Sequence, residues 1–159
     1  MITIRPAERA DLRLMMDFIR ELAEYEKLLA DVVATEAMIG EALFTENPRV
    51  FCDIAAWNGE NLGFSLWFYN FSTFRGRAGI YLEDLYVRPE GRGKGLGKAL
   101  LKQLAKRCVD ENLARFEWSV LDWNAPSIAF YQAMGAILLD SWTTCRVTGN
   151  ALEQLAKSA

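Results

Sequence analysis

Histidine is absent from the 159 residues. That gap removes Ser-His-Asp and Cys-His catalytic arrangements, together with any histidine-based metal site. Cysteine is scarce as well. Cys52, Cys108 and Cys145 are odd in number, far apart and without CxxC spacing, so neither a disulfide framework nor a zinc site is expected, and a reducing cytoplasm is the default compartment. No apolar run approaches the ~20 residues that a membrane helix needs. The N-terminus meets Arg5, Glu8 and Arg9 without an apolar signal core, which predicts no export signal. Long basic stretches are missing too, and the net charge of −3 argues against a general nucleic-acid binder. Neither repeats nor low-complexity runs interrupt the chain, so residues 1–159 are expected to form a single domain.

What is present fits a soluble globular protein. Apolar residues make up 52% and charged residues 25%, near the average for folded domains. Ile2-Thr3-Ile4 alternates as a short strand. Leu12, Met15, Met16, Ile19, Leu22 and Ala23 recur at helical spacing after Asp11, a residue suited to an N-cap. Thr35 precedes a second helix, which ends before Asn47-Pro48. Val50–Trp57 and Leu62–Phe71 read as strands around an Asn58-Gly59 hairpin turn. A second turn at Arg75-Gly76-Arg77 leads into a strand from Gly79 to Val87. A helix spans about Gly95 to Asp110, and Phe116–Leu121 is a fifth strand. Asn124 caps a helix with Pro126 in its first turn and Gly135 beyond its end. Further strands from Ala136 and around Trp142–Val147 precede a short terminal helix. The order β-α-α-β-β-β-α-β-α-β-β predicts an α/β (mixed α+β) fold, with helices on both faces of a mixed, mostly antiparallel sheet of six to seven strands.

The segment from Val87 to Lys98 ends a strand, alternates glycines at 91, 93, 95 and 97, and opens an amphipathic helix. Such a run turns tightly, exposes backbone N–H groups and aims a helix N-terminus at its ligand, which suits a pyrophosphate. Arg92, Lys94 and Lys98 add positive charge. A Walker A loop fails, because Arg92 occupies the place of its first glycine and Ala99 the place of its Ser or Thr. A dinucleotide fingerprint also fails: started at Gly91 or Gly93, its last position is Leu96 or Lys98. The pattern R-x-x-G-x-G, filled by Arg92, Gly95 and Gly97, resembles the acetyl-CoA pyrophosphate loop of the GNAT superfamily.

Glu83 and Asp84 interrupt an apolar strand, where charge is costly unless it is paired or faces a cavity. Neighbouring strand residues point to opposite faces, so the two are expected to do different jobs. Without histidine, a carboxylate acting through water is the best base left for an alkyl ammonium, whose pKa lies near ~10 as for lysine. Asn124 and Tyr131, seven apart, share a helix face. A phenol with a pKa of ~10 suits the protonation of a departing thiolate whose thiol has a pKa of ~8.5.

Leu82-Glu83-Asp84-Leu85-Tyr86-Val87, the loop Arg92–Gly97, Asp122-Trp123-Asn124-Ala125-Pro126-Ser127 and Phe130-Tyr131 together resemble the spermidine/spermine-type (diamine) N-acetyltransferases and their bacterial relatives. Glu21-Leu22-Ala23-Glu24-Tyr25-Glu26 resembles that family's first-helix acceptor segment. Asn70-Phe71-Ser72-Thr73-Phe74, Glu117-Trp118-Ser119-Val120 and Trp142-Thr143 look like its bacterial branch. The resemblance implies a GNAT fold and transfer of an acetyl group from acetyl-CoA, without a metal, to a small-molecule primary amine. It places the pantetheine arm along Leu85, Tyr86 and Val87. It puts the pyrophosphate against Arg92, Gly93, Lys94, Gly95, Leu96 and Gly97, and further cofactor contacts at Asn124 and Ser127. Tyr131 becomes the general acid. Glu83, Asp84, Tyr25 and Glu26 surround the cationic acceptor, and a homodimer is implied; of the two strand acids Glu83 is taken as the catalytic base, itself or through a water chain. A diamine, a polyamine or a lysine-like small molecule is the implied acceptor; Arg75 and Arg77 add cations near it, a departure that counts against long polyamines and leaves room for small diamines, thialysine-like amino acids or other primary amines. Direct attack within a ternary complex is the leading mechanism, and Cys108 is a poor covalent carrier. A protein or peptide N-acetyltransferase and a non-catalytic acyl-CoA-binding module are the rival readings.

Overall fold

The computed structural model describes residues 1–158. They fall into two compact units, the first Met1–Leu121 and the second beginning at Asp122. In the first unit, β1 (Ile2–Pro6) precedes α1 (Leu12–Tyr25) and α2 (Glu36–Leu43). The strands β2 (Phe51–Trp57), β3 (Glu60–Ser72) and β4 (Arg77–Val87) follow, then α3 (Leu96–Asp110) and β5 (Phe116–Trp118). The sheet order is β1-β2-β3-β4-β5. The first three pairings are antiparallel and β4–β5 is parallel. That one parallel pair follows from the connection: β4 returns through α3, a helical crossover, rather than through a hairpin.

Local chemistry accounts for most of these boundaries. Thr35 Oγ1 accepts the Met38 N–H at 3.3 Å and caps α2. Asn58 and Gly59 take φ of 49° and 88°, the doubly left-handed turn that matches strand twist. Asp11 departs from the expected role. Its carboxylate accepts the Glu8 N–H at 2.7 Å and both Arg5 Nη1 and Nη2 at 2.7 and 2.9 Å, so it stabilises the short 3-10 turn before α1 and gives the helix no side-chain cap.

Each sheet face carries its own core. Met15 and Phe18 of α1 and Leu43 of α2 pack with Cys52, Ile54, Phe64, Leu66 and Tyr86 on one face. Leu96 and Leu100 of α3 pack with Ala55 and Leu62 on the other. Phe18 is fully buried and stacks on Phe64 at 5.3 Å; truncating such a ring to alanine costs about 3–5 kcal/mol.

The second unit contains α4 (Ala125–Ala133) and α5 (Gly149–Lys157). The expected strands from Ala136 and around Trp142–Val147 are not formed, and Phe116–Leu121 stops at Trp118. Among the described residues the sheet therefore has five strands rather than six to seven. An apolar stretch becomes a strand only when a neighbouring backbone completes its ladder, and Ile137 and Trp142 are each 80% exposed. Among the described residues, no helix is long and apolar enough to cross a membrane.

Candidate active site

The β4 strand changes character halfway along. Trp67 of β3 pairs with Leu82 whereas Leu66 pairs with Asp84, so Glu83 is one residue too many for the ladder and forms a β-bulge. Such bulges re-aim side chains and disturb pairing. Here Glu83 is exposed while Asp84 is half-buried. On its other edge β4 pairs with β5 only through Ile80, Tyr81 and Leu82. From Glu83 to Val87 that edge has no sheet neighbour among the described residues. An extended ligand with amide groups can add there as a strand would.

The glycine turn begins where this open edge ends. Gly93 and Gly95 have φ of 74° and 86°, a conformation that side chains with a Cβ adopt only under strain. Gly95 is the N-cap of α3, and no side chain caps that helix, which leaves the N–H groups of its first turn for a ligand. Among the described residues, no heavy atom beyond its two chain neighbours lies within 4 Å of the place a Cβ would take at Gly93, so the loop is open on that side. The cations flank it differently than expected. Lys94 Nζ donates to the Glu90 carbonyl at 2.7 Å, and Arg92 Nε donates to the Val87 carbonyl at 3.1 Å. The Arg92 guanidinium lies 5.5 Å from the Tyr25 ring centre and 6.0 Å from that of Tyr86.

The expected acceptor residues converge electrostatically. Burial pushes the Asp84 carboxyl up to about 7, and the negative charges of Glu83 and Glu26 push in the same direction. Burial also raises Glu26, which sits immediately after α1. Each charge acting on Asp84 is anionic, so the cluster favours a cation or a proton. Arg77, by contrast, donates to Asn112 Oδ1 at 2.7 Å. It starts β4 some six residues before Glu83, about 20 Å along a strand, and so does not repel a polycation from the acids as the sequence suggested. Cys52 and Cys108 are both raised by burial, which makes their thiols weak nucleophiles at neutral pH.

In the second unit, Asn124 caps α4: its Oδ1 accepts the Ser127 N–H at 3.4 Å. Tyr131 lies on the same helix beside Phe130, ring centres 5.5 Å apart. Sequence reasoning missed a further pair in the first unit. Arg88, just after β4, grips the Glu21 carboxylate of α1 with Nε and Nη2 at 2.8–3.1 Å. The two are 67 residues apart, and nothing in either local pattern signals the partnership.

The profile of the Acetyltransferase (GNAT) family matches residues 13–136. The chain belongs to the GNAT acetyltransferase family. It is an acyltransferase, and GNAT proteins use acetyl-CoA. The open β4 edge, the left-handed glycines and the uncapped α3 N-terminus fit that molecule's amide-bearing arm and pyrophosphate. A thialysine N-epsilon-acetyltransferase from Sus scrofa is 37% identical over 98% of this chain and 97% of its own length. The human spermidine/spermine N(1)-acetyltransferase-like protein 1 is 31% identical over 87% of this chain but only 21% of its own. Among solved structures, an integron cassette protein from the mobile metagenome of V. cholerae superposes with a TM-score of 0.80 at 30% identity, covering 99% of this chain and 98% of that one.

Proposed function

We propose that this GNAT acetyltransferase acetylates the side-chain amine of a small lysine-like amino acid or diamine, using acetyl-CoA as donor. The observation that carries this reading is the Glu26–Glu83–Asp84 cluster, in which Asp84 is raised to about 7 by burial and by its two anionic neighbours. Such a group attracts an ammonium and then accepts its proton near neutral pH, as a general base should. Asp84 therefore takes the basic role that the sequence assigned to Glu83, and Glu83 and Glu26 hold the acceptor's positive charge. The full-length similarity to a thialysine N-epsilon-acetyltransferase favours an amino-acid side chain over a long polyamine.

When bound, acetyl-CoA supplies the activated acetyl thioester. The backbone of Leu85, Tyr86 and Val87 would orient its arm, and the turn from Arg92 to Gly97 would hold its pyrophosphate. Asn124 and Ser127 are assigned further cofactor contacts by family resemblance. Asp84 would receive one proton from the acceptor ammonium, and the freed amine would form the new C–N bond as the C–S bond breaks. Tyr131 would donate a proton to the leaving sulfur, and the second proton that the nitrogen loses as the amide forms would restore the phenol through solvent. Raised Cys52 and Cys108 thiols support direct transfer over a cysteine-bound acetyl group. The resemblance extends the proposal to a homodimer, and free Cys52, Cys108 and Cys145 suit a reducing cytoplasm.

A thiol-release assay with acetyl-CoA over thialysine, lysine, ornithine, spermidine and a lysine-containing peptide tests the proposal. The expected order places thialysine and the free diamino acids first. Faster turnover of the peptide, or no amine-dependent thiol release at all, overturns it.

A further inference from the structure

Phe18, Glu21 and Tyr25 follow one another at i, i+3 and i+7, so they share one face of α1. That face meets the end of β4 and the start of the glycine turn at three levels. The Arg88 guanidinium lies over the buried Phe18 ring, 4.8 Å from its centre. The same group makes its forked contact with Glu21, both side chains being less than one-third exposed. One turn further on, Arg92 lies against Tyr25. Glu26 is the next residue, and its charge reaches Asp84.

A bidentate arginine–carboxylate contact fixes orientation as well as distance. Isolated surface ion pairs contribute little, but this one is partly withdrawn from water and rests on a core ring. Arg88 is itself held at the backbone, where its N–H donates to the Leu62 carbonyl at 2.8 Å. The strand end is thus the fixed body and the last turn of α1 the part being held. Past Glu26 the helix ends in a closed turn: Lys27 has φ of 63°, its N–H donates to the Glu24 carbonyl at 3.0 Å and the Leu28 N–H donates to the Ala23 carbonyl at 2.8 Å. That cap keeps the last turn and Glu26 intact as a unit, and the Glu21–Arg88 pair ties this unit to the end of β4. A single 3-10 turn follows at Leu29–Asp31.

We propose that Glu21 and Arg88 are positioning residues, whose ion pair holds the C-terminal turn of α1 so that Glu26 stays opposite Asp84 in the acceptor pocket. The inference rests on the acceptor reading given above. Neither residue touches the reacting atoms; both act through Glu26. The pair also joins the acceptor side to Pro89, the first residue of the turn that leads into the cofactor loop.

Steady-state kinetics of the purified chain with acetyl-CoA and thialysine test it, using Glu21→Gln, Arg88→Gln, the double variant, the charge-exchanged pair E21R/R88E, and Glu26→Gln for reference. Each single variant should raise the thialysine KM about tenfold. It should also shift the ascending limb of the pH–rate profile to lower pH, because Glu26 no longer bears on Asp84. The double variant should be no worse than the singles, and charge exchange should recover part of the loss. A fall in melting temperature with an unchanged thialysine KM and pH limb overturns the proposal, since it leaves the pair merely structural. Should the glutamine variants fail to fold, Arg88→Lys keeps the charge but loses the fork. It is expected to raise the KM about threefold, and an unchanged value counts equally against the proposal. The Glu26→Gln reference separates the two levels. If it leaves the thialysine KM unaltered, the acceptor pocket itself is wrong; if it raises the KM while the Glu21 and Arg88 variants do not, only the positioning role falls.

Discussion

Trp67 donates its indole N–H to Asp53 Oδ2 at 3.0 Å, in the interior of the sheet face covered by α3. Phe51 stacks on the indole at 4.6 Å and Arg107 lies 5.1 Å from its centre. Burial raises the Asp53 carboxyl more than the indole N–H and Arg107 lower it. A carboxyl raised in the folded state holds its proton to higher pH than it does unfolded, so stability falls as pH rises above the ordinary aspartate range. Asp53→Asn keeps an acceptor for Trp67 and removes the buried charge. It should be more stable than the parent by about 1 kcal/mol at pH 8, with the gap closing towards pH 4. Asp53→Leu instead strands the indole N–H and should lose about 1–3 kcal/mol. Urea unfolding at the two pH values checks both, and an Asp53→Asn variant less stable at pH 8 would contradict the account.

The same linkage applies to Asp84, with a functional consequence. Its folded value of about 7 lies above the unfolded one. Its contribution to stability is therefore fully favourable below about pH 4 and is lost as pH rises to 7. Asp84→Asn should stabilise the fold by about 1–3 kcal/mol at pH 8, allowing for partial solvent screening, while lowering kcat/KM at least a hundredfold. In the parent enzyme, kcat/KM for the amine should rise through pH 7, and Glu83→Gln should move that limb downwards. A limb that stays in place after Glu83→Gln argues that another group is titrating.

How much of this was visible in the chain depended on whether the cause was local. Thr35 capping α2, Asn58-Gly59 closing a hairpin and the glycine run opening α3 each follow from residues within one turn of each other, and each was legible. The bulge at Glu83 was not, because it exists only in the register between β3 and β4. Asp11 reads as a helix cap until Arg5 and the Glu8 N–H compete for its oxygens. The strands expected after Ala136 satisfied a side-chain pattern, but a strand also needs a partner backbone. Glu83 and Asp84 were found by their cost in an apolar run. Asp84 is raised to about 7 first by burial, then by Glu83 and by Glu26, 58 positions earlier, and neither its burial nor that distant charge shows in the local pattern.

Gly95 offers a test of the cofactor loop that is separate from the acids. With φ of 86°, an alanine there costs about 1–2 kcal/mol of backbone strain or forces the turn to relax and re-aim the N–H groups at the start of α3. Gly95→Ala should raise the acetyl-CoA KM about tenfold with a smaller effect on the amine KM. Calorimetric titration with coenzyme A provides a direct check, and unchanged affinity in a folded variant removes the turn from the cofactor site.

Tyr131 raises a question about the leaving group, which differs from the question about the base. A thiolate is already a competent leaving group, with its thiol near pKa ~8.5, so a general acid contributes less here than it would for an alkoxide. Tyr131→Phe removes only the hydroxyl and keeps the ring beside Phe130, and α4 retains its Asn124 cap. The variant should lower kcat about tenfold to a hundredfold while acetyl-CoA affinity stays within about twofold. Loss of affinity alone would make Tyr131 a binding residue, and an unaltered kcat would transfer the proton donor elsewhere. The pH profile sharpens the distinction: if the phenol supplies the proton, the descending limb at high pH disappears in the Phe variant while the ascending limb near pH 7, set by Asp84, remains.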